Sequence, residues 1–155
     1  MSSVFIALEG FQVGKCFVLK ELHLLITDDE FKHFVFSAPD ITLDNKEQKT
    51  VRYCTRYLHG ISWSAGDIPY DAIDGILRKY QTYTIYCYGY TSAGFLQKML
   101  PTTVVVDVQK EGYVMPKTIP TKQCFIVHNS RHCARSKAHA IRSYVLNVHS
   151  NIDVE

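Results

Sequence analysis

The sequence predicts a mixed α/β fold, a sheet with antiparallel and parallel strands covered by helices. Three observations lead there. The first third of the chain is a series of apolar and alternating segments with short gaps between them, which calls for an antiparallel meander. The rest alternates helix-like and strand-like segments, which calls for parallel strands joined by crossovers. With 155 residues, 46% of them hydrophobic, and no internal repeat or linker, the chain suits one core. Residues 1–150 therefore read as a single domain and 151–155 as a tail.

The elements follow in order. Val4–Leu8 is an apolar run ended by Glu9-Gly10, and Gly10 to Gly14 reads as a turn. Phe17–Ile26 alternates and meets the turn-like Thr27-Asp-Asp-Glu30; Phe31–Ser37 is a third strand closed by Ala38-Pro39. Asn45–Leu58 reads as a helix with Val51, Cys54, Tyr57 and Leu58 on its buried stripe, stopped by Gly60. Trp63, at the helix exit, reads as a core plug. Tyr70–Tyr80 makes a second helix on Ile73, Ile76, Leu77 and Tyr80. Tyr83–Tyr88 and Thr102–Val108 are β-branched and aromatic strands on either side of a short helix, Ser92–Leu100, that Pro101 stops. After a loop holding Pro116 and Pro120, a last helix runs from about His132 to Val148. The order is β-β-β-α-α-β-α-β-α.

Composition excludes several classes. No run of 18 apolar residues exists to cross a membrane, and the N-terminus lacks the basic region of a secretory signal. Five cysteines, an odd number without framework spacing, point to an intracellular, reducing compartment, with Cys16, Cys54 and Cys87 as core residues. Charge is uneven. Residues 1–75 hold seven Lys/Arg against eleven Asp/Glu, and residues 76–155 hold ten against four. The closing segment carries Lys122, Arg131, Arg135, Lys137 and Arg142, a basic face suited to a phosphate backbone.

The chemistry concentrates in Cys124-Phe-Ile-Val-His128-Asn-Ser-Arg-His132-Cys133-Ala134. Two thiols and two imidazoles within ten residues form a set that tetrahedral Zn²⁺ prefers. The thiols at 54 and 87, by contrast, fall on apolar periodic positions.

The element order resembles the ribonuclease H-like superfamily, and in particular its DnaQ-like 3′–5′ exonuclease branch. In that family the first strand ends in Asp-x-Glu; here Glu9 takes the second place and Ala7 the first. The strand-then-helix unit Ile85 to Met99 carries no acid. The closing His-x4-Asp-Ala motif becomes His128-x4-Cys133-Ala134. One of four family carboxylates is kept, and two Mg²⁺ ions need hard oxygen ligands that a thiol does not supply. Glu9, Cys124, His128 and Cys133 together resemble the Glu-Cys-His-Cys zinc site of the Maelstrom domain, with His132 as the alternative ligand. This resemblance implies RNA binding with at most weak cleavage of single strands; a zinc held by four protein groups would be structural, and the spacing of Arg131, Arg135, Lys137 and Arg142 sets them on one side of the last helix as a contact face for single-stranded RNA or DNA. Two other readings accompany it. One is an active nuclease using Glu9, Asp107 and His128 with Mg²⁺ or Mn²⁺; the other is a module for a protein partner.

Overall fold

The computed structural model describes residues 2–116 and 133–149. Five strands form one sheet: β1 (Ser3–Val13), β2 (Cys16–Leu25), β3 (Phe31–Val35), β4 (Thr84–Cys87) and β5 (Val104–Asp107). Their order across the sheet is β3-β2-β1-β4-β5. The meander β1-β2-β3 is antiparallel, while β4 and β5 run parallel to β1. The mixed sheet expected from the sequence is therefore present, with the earliest strand at its centre.

The first strand is longer than its apolar run. It continues through Glu9 and Gly10 to Val13, with a bulge between Glu9 and Gly10 where the pairing register slips. Gly10 is required there, because a Cβ would stand 2.2 Å from the Val18 carbonyl oxygen. The segment from 10 to 13 is strand rather than turn; the hairpin reverses at Gly14, whose φ is 59°. Cys16 opens β2 and is exposed, so it is not a core residue.

The alternation of each strand sorts two cores. Val4, Ile6 and Leu8 join Leu22, Leu24, Ile85 and Cys87 on one face, beneath α2 (Ile73–Arg78) and α3 (Tyr90–Met99). Phe5, Ala7, Leu25 and Tyr86 face the other way and meet Ala134, Ala138, Ile141 and Val145 of α4 (Ala134–Val148). A third cluster, Phe11, Val13, Val18, Val51 and Cys54, packs the far end of the β1–β2 hairpin against α1 (Asn45–Tyr53). Asp44 caps α1, accepting from the Glu47 backbone N–H at 2.7 Å while the Glu47 carboxylate accepts from the Asp44 N–H at 3.0 Å.

After Tyr53 the helix widens into a π-helical turn, Cys54–Leu58. Tyr57 is six residues beyond Val51, well off its line, and the turn leaves it 56% exposed rather than in the buried stripe. His59 then folds back under Phe11. Its Nε2 lies 3.1 Å from the Gly10 carbonyl, and its Nδ1 accepts from the Ile61 N–H at 3.0 Å, so the ring is the neutral Nε2–H tautomer. Trp63 is half-buried against the Phe11 edge, the core role expected of it.

The β3-to-α2 connection is pinned by a buried lysine. Lys20 Nζ donates to the carbonyls of Phe36 (2.8 Å), Trp63 (2.7 Å) and Ala65. All three ammonium donors are used, and burial pulls the group down to about 8, still protonated at neutral pH. Gly66 completes the crossing, since a Cβ there would meet the Phe36 backbone at 2.4 Å.

Candidate functional site

A cleft of about 280 Å³ opens beside Glu9, at the carboxyl end of β4 and next to the central strand. Open α/β sheets place ligands at such positions, outside strand ends where the connections change direction. The bulge at Glu9/Gly10 forms one wall, Tyr88 of the β4–α3 turn with Thr91 and Ser92 of the first turn of α3 a second, and Lys137 of α4 a third.

The charges in the cleft are already balanced. Glu9 is buried and paired with Lys137 Nζ, which reaches across from the first turns of α4. An ammonium therefore stands where a cation-binding carboxylate would otherwise have a metal ion. Asp107, a catalytic acid in the nuclease reading, is buried and bound to backbone: its Oδ1 accepts from the Gly89 N–H at 2.7 Å and the Gln109 N–H at 3.0 Å. Those bonds fix the turn into α3, where Gly89 takes a φ of 100°. Gly89 N–H and Gln109 N–H thus give Oδ1 of Asp107 a structural role in the turn.

A polar seam runs beside the cleft, on the sheet face beneath α4. Strand alternation carries Glu21 and His23 of β2 and His33 of β3 to this face, with Glu9 paired to Glu21 and His23 to His33 across the strands. Glu21 is fully buried. One oxygen accepts from the Ala134 N–H at 3.1 Å, at the start of α4, and the other lies 3.2 Å from His33 Nε2. The carboxylate complements the positive end of the helix and so docks α4 onto the sheet. His33 Nδ1 lies 3.1 Å from His23 Nδ1, so one ring donates and the other accepts. Burial first, then the neighbouring charges of His33, His139 and Arg135, push His23 down to about 3, which keeps it neutral.

Of the expected zinc ligands, Glu9 and Cys133 lie among the described residues; Cys124, His128 and the alternative His132 lie outside them. Cys133 is buried directly before α4. The carboxylate that meets the Cys133–Ala134 junction is Glu21, not Glu9, which Lys137 engages. Among the described residues no three His, Cys, Asp or Glu side chains gather closely enough to hold a metal. Cys54 and Cys87 are core thiols, and burial raises both, Cys87 to about 12, too high for a ready thiolate ligand.

The expected basic face is rearranged by packing. Arg131 lies outside the described residues. Arg135 is half-buried with its guanidinium 5.3 Å from the Phe31 ring centroid, Lys137 pairs with Glu9, and Arg142 Nη1 is 3.3 Å from Asp28 Oδ1. These cations hold α4 to the sheet and to the β2–β3 turn instead of forming an open row. The sequence reading missed Glu21 and His23, although the period-two pattern of β2 sets them on one face with Leu25. It also missed a second basic helix, α1, because the acidic total of residues 1–75 hides it.

Compared with protein-family models, curated proteins and solved structures, the chain matches none. The class that the fold and site define is a mixed α/β domain with a charge-balanced cleft at its central strand. No helix among the described residues is long and apolar enough to cross a membrane.

Proposed function

We propose that this domain is a ribonuclease H-like, DnaQ-like fold of degenerate catalytic type that binds single-stranded RNA. The observation that carries the reading is the Glu9–Lys137 pair. The one family acid kept on the first strand is neutralised by a lysine, and Asp107 is committed to the backbone of the β4–α3 turn. A site that clamps two Mg²⁺ ions needs several carboxylates turned toward the ions, whereas here Glu9 is turned to an ammonium and Asp107 holds backbone amides through Oδ1. The strand order β3-β2-β1-β4-β5, with the central strand first in sequence, supports the family resemblance.

Zinc belongs to the same reading. Cys133, with Cys124, His128 and Glu9, and with His132 as the alternative imidazole, would hold a structural ion that joins the last helix to the first strand, with Glu9 exchanging Lys137 for the metal. Purified protein should then carry about one zinc per chain by elemental analysis. Cys133→Ala should lose metal and thermal stability together, whereas metal-free protein with an unaltered melting temperature overturns the zinc assignment.

The activity test uses labelled single-stranded RNA with Mg²⁺ or Mn²⁺. The expected outcome is retention of intact strand on a filter at low salt, weakening as salt rises. Rapid Mg²⁺-dependent degradation that Glu9→Ala abolishes would instead make the domain a working nuclease.

A further inference from the structure

The solvent side of α1 and its π-helical turn carries Lys49, Arg52, Tyr53, Arg56 and Tyr57, spaced i, i+3, i+4, i+7 and i+8. All five are exposed, Tyr53 and Tyr57 each at 56%. Large rings are rarely left so open in pairs without a partner. The two rings lie beside each other, centroids 5.2 Å apart and planes at 43°, and the Arg56 guanidinium sits 5.3 Å from the Tyr57 centroid. A groove of about 810 Å³ runs between this stripe and Trp63, and none of its lining residues is acidic.

The electrostatics are one-sided. Among the described residues no carboxylate lies within ion-pair distance of Lys49, Arg52 or Arg56. Glu47, the one acid of α1, is tied into the capping box at the other end of the helix. Three cations and two aromatic faces thus alternate along about 10 Å of helix. Phosphates and bases alternate in the same way along a single strand, so the charges suit its backbone and the rings its bases.

We infer that this α1 stripe, rather than α4, is the surface that holds single-stranded RNA, with Lys49, Arg52 and Arg56 on phosphates and Tyr53 and Tyr57 stacked on bases. The inference rests on the nucleic-acid-binding reading above and names its face. RNA is chosen over DNA because the hydroxyls of Ser62 and Ser64, 3.4 Å apart at the groove's edge, offer a donor and an acceptor to a ribose 2′-hydroxyl. A structural role explains these residues less well: none of the three cations pairs with a carboxylate among the described residues, and the rings are outside the core.

The test is fluorescence anisotropy of a labelled oligouridylate with the whole chain across a salt series. Three phosphate contacts give a slope of log K against log salt of about −2. Arg52→Glu with Arg56→Glu should reduce the slope by about 1.4 and weaken binding by well over tenfold. Tyr53→Ala with Tyr57→Ala should weaken binding about tenfold per ring while leaving the slope alone, which a merely electrostatic surface would not do. Circular dichroism confirms that both variants fold. Wild-type binding unchanged in both variants overturns this face while the nucleic-acid reading stands. No binding by wild type overturns both. Equal affinity for the matching deoxyoligomer overturns the choice of RNA, and tight binding to polyglutamate that ignores the tyrosines makes the groove a site for acidic peptide.

Discussion

Two helices of this domain carry similar charge and use it oppositely. On α4, Arg135, Lys137 and Arg142 turn inward or sideways to Phe31, Glu9 and Asp28. On α1 and its π-helical turn, Lys49, Arg52 and Arg56 are exposed, with no carboxylate within ion-pair distance among the described residues. The difference comes from what lies beneath each helix. The sheet under α4 presents Glu9 and Glu21 from strand positions that must face it, so α4 has to bring compensation. Under α1 the hairpin offers Phe11, Val13 and Val18, and that helix needs only apolar residues on its inner side. A count of basic residues therefore says little about a binding surface until the partners of each are known.

The contrast breaks most sharply at Glu21. Glu21→Ala removes the acceptor of the Ala134 N–H and the neighbour of His33 in a fully buried place. We expect a loss of about 3–5 kcal/mol, as for breaking a buried pair, read as a fall in urea midpoint. A change under 1 kcal/mol would show that α4 does not depend on this anchor.

Lys137→Ala comes next. It removes an ion-pair partner of Glu9 from a nearly closed place, and about 2–3 kcal/mol should go, with Glu9→Gln restoring part of it in the double variant. Additive losses in that cycle would mean the pair is not coupled.

The seam also makes a pH prediction. Folded His23 titrates near 3, below its ordinary 6.5, so the unfolded chain takes up a proton that the folded chain refuses. The stability is whole above pH 6.5 and is lost as pH falls from 6.5 toward 3. At pH 5 the loss is about 2 kcal/mol. Melting temperatures from pH 7.5 to 5 should fall in wild type and fall less steeply in His23→Leu; parallel slopes would assign the acid sensitivity elsewhere.

The smallest effects separate the two helices most plainly. Arg142→Ala should cost under about 1 kcal/mol, since its partner Asp28 is 70% exposed. Arg52→Glu with Arg56→Glu should alter stability by about 0.5 kcal/mol or less while removing RNA retention. Loss of stability in that variant comparable to Lys137→Ala would make α1's charges structural too.

Much of the fold was legible because period and punctuation are local. The third meander strand, the capped helix at Asn45, the strand Thr84–Cys87 and the final helix lie within the segments that alternation, β-branching and Pro/Gly signals marked, and β1 and β2 overlap theirs. The β1 extension was less legible, since a bulge at Glu9/Gly10 interrupts the pattern of an otherwise continuous strand. The importance of Glu9 could be seen from its place at the strand's apolar edge, but its lysine partner could not, because 128 residues separate them.

The sequence by itself determined the class of fold and the order of its elements, since these depend on residue identity and near neighbours. It also held the α1 stripe, whose spacing can be read off the chain. Only the tertiary structure decided which charges were spent inside. Long-range packing brought Lys137 to Glu9, Ala134 to Glu21 and the Gly89 amide to Asp107, and each of those meetings replaces water with a protein partner. The energy of a charged side chain depends on that replacement, and no local pattern encodes it.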